Sequence, residues 1–336
     1  MVRRIVSALC GVAVIALAGG SLAAGAASAA DPAQGRHDAI VRYWTPDRIR
    51  AAIPRDFEFD PASHGYLPAA KPIGGGGGGT SVSGASWTGG GLILTASGVV
   101  LFHLPSGDYI CSGSVSTDTD LNTSLVLTAA HCAYDESTQT FATNWMFFPE
   151  YDSAPIRSCT DSRWGCWTAQ SLVVDSGYAS AGGFNTQAAT HDFAFAVVGF
   201  GGKTGATQLQ LDVTVGSLPI TFGGISSGQF LDAFGYPAAA PYSGNDLTYC
   251  AGKISGDFFN GSKTWGMTCN MTGGASGGPW LSQFTGGSGI QSSLNSYRYN
   301  GINKMFGPKF NSNTQAVYNF AATPPPPGDN KIVTVP

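Results

Sequence analysis

From Gly91 onward, apolar and β-branched residues come in short runs closed by Gly, Ser, Asn and Pro, the pattern of strands joined by turns. Runs at 92–95, 99–103, 109–115, 125–128, 145–148, 172–174 and 192–198 predict a first set of strands. A glycine-rich break, Gly199 to Gly205, separates them from a second set at 218–222, 230–234, 248–254, 265–269, 279–281 and 290–294. There is no long amphipathic helix and no internal repeat, so two β units of similar size are expected. Upstream the pattern changes. Thr45-Pro-Asp-Arg can cap and open a short helix, but Pro54, Pro61, Pro68 and Pro72 then argue against regular structure, and Gly74 to Gly79 read as a flexible linker. Pro324 to Pro327 predict a stiff, extended tail.

Composition sharpens this picture. Glycine supplies 47 of 336 residues, about twice the usual ~7%, and charged residues are sparse, as in an exported all-β chain. A net charge of −4 argues against nucleic-acid binding, which normally needs a basic face. Residues 1–30 have the layout of a secretory signal peptide: Arg3 and Arg4, an apolar stretch from Ile5 to Ala18, then Ala27-Ser-Ala29. The apolar stretch is too short to span a bilayer comfortably, so the expectation is an extracellular protein, free of the membrane after signal removal. With Cys10 removed, Cys111, Cys132, Cys159, Cys166, Cys250 and Cys269 remain. An even number in an exported chain reads as disulfides, and the spacing suggests sequential closure: 111–132, 159–166 and 250–269. No close Cys or His pair suits zinc, and no cofactor is implied.

The candidate chemistry lies in Cys269-N-M-T-G-G-A-S-G-G-P-Trp280. A serine hydroxyl is a weak nucleophile until a base takes its proton, and the oxyanion that forms needs N–H donors. Ser276 among Gly273, Gly274, Gly277 and Gly278 provides an exposed hydroxyl, with the N–H groups of Gly274 and Ser276 as converging donors. G-A-S-G-G also spells the nucleophile elbow of α/β-hydrolases, whose histidine follows the serine. Here His37, His64, His103, His131 and His191 all precede Ser276, so that reading falls. In Ser124-L-V-L-T-A-A-His131-Cys132 an apolar strand delivers His131 to a disulfide-braced loop, where a fixed imidazole can serve as base. His191 is the rival. Asp192 heads the alternating run D-F-A-F-A-V-V and can be drawn inward to orient the ring. Asp175 is the competing acid.

These stretches, T-A-A-H-C at 128–132, D-F-A at 192–194 and G-A-S-G-G-P at 274–279, resemble the chymotrypsin-like serine peptidases. The variant M-T-G-G-A-S-G-G-P-W, with Tyr236-Pro237, is similar to the bacterial secreted branch near the glutamyl endopeptidases. The resemblance covers roughly residues 86–320. It implies an all-β fold of two six-stranded antiparallel β-barrels, about 86–200 and 206–320, with the site in the cleft between them. It also implies catalytic roles for His131, Asp192 and Ser276, protein or peptide substrates, and a monomer. By the same analogy Asn270 and Thr272 lie near the specificity pocket and Asn295-Ser-Tyr along its wall. Residues 31–85 are then a pro-region and linker, and 321–336 a tail. Two departures matter. Ala275 stands where the trypsin type has Asp and no Ile-Val-Gly-Gly start is visible, so activation by that buried ion pair is unavailable. Cys269 lies seven places before Ser276, where the trypsin type has its cysteine four before, so the third disulfide should differ. The alternative function is an inactive peptidase-like binding module or adhesin. Asp118-x-Asp120-x-Asn122 lacks the rest of a calcium loop and reads as a solvated hairpin.

Overall fold

A computed structural model of the chain describes residues 32–60, 65–68, 81–151, 158–203, 208–323 and 327–335. The expected signal peptide, the glycine run 74–79 and prolines 324–326 lie outside the described residues. The strands are β1 (Ile53–Pro54), β2 (Phe57–Asp60), β3 (Gly65–Pro68) and β4 (Val82–Ser86), then β5 (Ser97–Leu104), β6 (Gly107–Ser116) and β7 (Ser124–Thr128). A small hairpin of β8 (Tyr134–Asp135) and β9 (Thr140–Phe141) precedes β10 (Thr143–Pro149), β11 (Trp167–Asp175) and β12 (Ala194–Val198). The second half holds β13 (Phe230–Gly235), β14 (Thr248–Lys253), β15 (Ser255–Gly256), β16 (Thr264–Thr268), β17 (Pro279–Thr285), β18 (Ser288–Leu294), β19 (Tyr297–Tyr299) and β20 (Lys304–Pro308).

In the first half β6, β5, β10, β11, β12 and β7 pair in that order, and β7 returns to β6, closing a six-stranded antiparallel barrel. Closure pairs β6 with β7 only at Ser114 to Ser116, so the Tyr109–Ile110 stretch keeps a free edge for β1. Val99, Val100, Leu125 to Leu127, Phe147, Phe148 and Phe195 are sealed inside the barrel or beneath its cover. The second half runs in two sheets, β18-β17-β13-β14-β4 and β15-β16-β20-β19-β2-β3. Cys250–Cys269 ties the end of one to the other, and Ser293 Oγ donates to Pro308 O at 2.7 Å where β18 and β20 approach. The all-β class and the closed six-stranded barrel of the first half are as expected, and the second half carries the further sheets.

Several expectations are corrected. Residues 92–95 form a helix, Leu92–Ala96, not a strand; Gly91 turns the chain at φ 82°, and only Ile93 and Ala96, three apart, are buried. Residues 218–222 make isolated bridges from Leu218 to Ser116 and from Ile220 to Gln291, because they are the crossing between the two halves. The two longest helices went unanticipated. Ser312–Ala321 opens on a capping box of Asn311 and Thr314 and buries Thr314, Val317 and Ala321. The other, α1 (Pro32–Tyr43), belongs to the upstream segment.

That segment is more regular than its prolines suggested. After α1 comes α2 (Pro46–Ala51), capped by Thr45 as expected, and then β1 to β3. Each of β1 and β2 borrows an edge: β1 lies parallel to β6, and β2 parallel to β19. Pro54 is tolerated because it sits on an outermost strand, where a missing N–H breaks no ladder. Docking is anchored by Trp44 Nε1 donating to Asn144 O at 2.6 Å, by Tyr43 and Arg48 on Asp108, and by His37 on Thr168.

Candidate active site

Strand β7 runs out of the barrel core into Ala129, whose extended backbone opens a single 3-10 turn, Ala130–Cys132. That turn carries His131, which is fully buried. Cys132 is bonded to Cys111 on β6, so the histidine is fixed to the barrel wall from both sides. Asp192, just before β12 and also buried, meets it twice. Its Oδ1 accepts the backbone N–H of His131 at 2.9 Å and its Oδ2 accepts Nδ1–H at 2.8 Å. Gripping backbone and ring together fixes the tautomer and leaves Nε2 on the opposite side.

The rival residues pair with each other. His191 Nδ1 lies 2.7 Å from Asp175 Oδ2, and Asp175 also caps the short helix Ser176–Ala179.

The serine turn needs its glycines. Gly274 and Gly277 have φ of 98° and 85°. A Cβ on Gly277 would lie 2.3 Å from both Ser112 O and Thr128 Oγ1, and one on Gly278 would lie 2.1 Å from Phe234 O. Nothing larger fits. Within the turn Ala275, Gly277 and Gly278 donate to Thr272 O, Asn295 O and Ala275 O. Among the described residues no acceptor meets the N–H of Gly274 or of Ser276. Two unspent donors in an ordered loop are what an oxyanion requires.

The turn is held against the His131–Asp192 pair by shared neighbours. Ser276 O accepts from Ser112 N at 2.7 Å and lies 3.9 Å from Cys132 Sγ. Gly277 and Gly278 exchange hydrogen bonds with Asn295, and the next residue, Ser296, donates its Oγ to Asp192 Oδ2. Ser296 is therefore a third grip on the acid. Sequence reading missed it, although it lies inside the Asn295-Ser-Tyr stretch already singled out.

No hydrogen bond joins His131 to Ser276. His131 Nε2 is buried without a partner, under an aromatic cover: Phe57 of β2 and Phe184 both present ring edges to the imidazole, at 5.3 and 5.8 Å. These two rings stack on each other at 3.9 Å.

Of the residues expected near the specificity pocket, Asn295 is spent. Its Nδ2 donates to Phe234 O and Ala275 O, and its Oδ1 accepts from Trp280 Nε1. Fully buried with both amide atoms engaged, it braces the serine turn. Thr272 donates to Ala239 O at 2.6 Å, and Asn270 Oδ1 accepts from Tyr242 OH at 2.5 Å. All three disulfides close sequentially. Asp118 and Asp120 use their carboxylates on the N–H groups of their own hairpin, including those of Asp120, Asn122, Thr123 and Leu125. No helix among the described residues is long and apolar enough to cross a membrane.

No family model and no curated protein matches the chain. Solved structures do. The thermostable serine protease AL20 from an extremophilic microorganism is 38% identical over 70% of this chain and 100% of its own, with TM-score 0.59. Protease Anisep from Arthrobacter nicotinovorans is 35% identical over 68% and 96%, with TM-score 0.58. A Glu endopeptidase at 18% identity, 72% and 97% coverage and TM-score 0.52 shares the fold. A histidine gripped by an aspartate, a glycine-built serine turn with idle donors, and this degree of identity to whole serine proteases lead to one conclusion: the chain belongs to the chymotrypsin-like serine proteases.

Proposed function

We propose that the chain is a secreted serine endopeptidase working through a covalent acyl-enzyme. Ser276 Oγ attacks the peptide carbonyl while His131 Nε2 takes its proton. The tetrahedral oxyanion is met by the N–H groups of Gly274 and Ser276. His131 then gives the proton to the leaving amine, and water repeats the cycle on the ester. Asp192 holds the ring and balances the imidazolium. The observation that carries this reading is the double grip of Asp192 on His131, which aims an otherwise partnerless Nε2.

Within residues 31–85, the part upstream of β4 acts as the pro-region in this reading. Phe57 covers the imidazole, so the intact chain is a closed form and removal of the segment opens it. The test is Ser276→Ala, with kcat expected to fall by roughly 10⁴–10⁶ at unchanged fold. Labelling by a fluorophosphonate should map to Ser276 and should quicken after limited proteolysis upstream of residue 81. A chain that takes no label in either state is a peptidase-like binding module instead.

A further inference from the structure

The covering segment does more than block. From Ile53 to Asp60 it crosses from one half of the molecule to the other, and its charged side chains meet charges of the cleft. Arg55 N donates to Ile110 O, and its guanidinium reaches Glu136 Oε2 at 3.2 Å and Asp135 Oδ1 at 3.6 Å. Next, Asp56 Oδ2 accepts from Arg298 Nη2 at 2.7 Å. That carboxylate also lies against the serine turn: a Cβ on Gly273 would be 3.0 Å from Asp56 Oδ2 and 2.9 Å from its Cβ. Gly273 is three residues before Ser276, and Arg298 is two after Ser296, the residue that donates to Asp192. The Asp56 carboxylate therefore occupies the ground between the serine turn and the strand that supports the acid.

Arg298 is a side chain suited to a carboxylate. It is 8% exposed, with its Nη2 on Asp56, Glu58 of the same segment beside it in register, and its Nε buried without an acceptor among the described residues. A guanidinium offers a two-donor fork that a carboxylate fills with two parallel bonds. Asp56 takes one of these donors. When the segment leaves, the guanidinium beside the turn loses the carboxylates that pair with it and is open to another. We propose that Arg298 is a specificity-determining residue that takes a carboxylate of the substrate, and that Asp56 is the chain's own stand-in for it.

This rests on the peptidase reading, and the test separates the two. Full-length protein carrying Ser276→Ala, Asp56→Asn and Phe57→Ala has no turnover and a weakened cover. Its binding is measured by fluorescence anisotropy with labelled peptides that differ only in having Glu or Gln, scanned through each of the positions that flank the cleaved bond. At one position the Glu peptide should bind at least about tenfold more tightly. Arg298→Gln on this background should bring the ratio to about one, and Arg298→Lys, which keeps the charge, should retain part of it. A ratio near one at every position with Arg298 present overturns the proposal. So does a Glu preference that survives Arg298→Gln. Fluorophosphonate labelling of the chain with Ser276 intact is read in parallel, and its failure counts against the peptidase reading alone.

Discussion

The candidate site depends on how single side chains are committed. Asp192 receives three donors: the backbone and ring of His131, and Ser296 Oγ. A hydrogen bond to an ionised group contributes about 1.5–3 kcal/mol. Ser296→Ala should therefore lower kcat by about tenfold or more with KM little changed, because Ser296 positions the acid and touches no substrate. Ser296→Thr, which keeps the hydroxyl, should recover most of the loss. A fall in KM-limited binding instead would assign Ser296 to the substrate. His131, Asp192 and Ser276 were legible because each sits in a motif whose residue types and order admit few alternatives. Asn295 shows the opposite case: nothing in a lone Asn says that its amide is engaged by Phe234, Ala275 and Trp280. Arg298 was equally silent, since its partner Asp56 lies 242 positions away in the chain.

Among the elements, the serine turn and the covering strand invite different tests. Gly277 combines a φ of 85° with a Cβ position already occupied by Ser112 O and Thr128 Oγ1. Gly277→Ala should destabilise the protein by at least about 2 kcal/mol, read as a lowered Tm. On β2, Phe57 stacks on Phe184 over the imidazole. Phe57→Ala should make the intact chain react several-fold faster with a fluorophosphonate, and an unchanged rate would mean that the ring does not guard Ser276. Strands were the part of the fold that periodicity announced best, because inside a closed barrel apolar runs are continuous and bounded by turns. Short strands that exist only by borrowing an edge, such as β1 and β2, carry no such signal. The helix Leu92–Ala96 shows the limit from the other side, as a short apolar run fits either period.

For the molecule as a whole, disulfides and buried carboxylates set how stability responds to conditions. Removing Cys250–Cys269 by paired Ala substitution should cost about 3 kcal/mol in the chain-entropy model. Burial pushes Asp118 up to about 6 and does the same to Asp232, also to about 6. A carboxyl whose folded value is raised favours folding while protonated. Its contribution is fully present below the unfolded value near ~4 and is lost as pH rises through about 6. Asp118→Asn and Asp232→Asn should each flatten the decline in Tm between those limits relative to the parent.

Strand β4 has a consequence for how such a protein matures. It is hydrogen-bonded along β14, from Val82 opposite Ala251 to Ser86 opposite Thr248, while the contacts described above with His131, Gly273 and Arg298 come from residues 54–57. A nick between residues 69 and 80 would therefore leave β4, just after the new amino end, still paired with β14. No freshly made terminus has to find a socket. On the proposed maturation, cutting and switching on would be separate events, the second timed by how fast a severed fragment lets go. Added salt, which loosens its charge pairings at Arg48, Arg55 and Asp56, should therefore shorten the lag without hastening the cut.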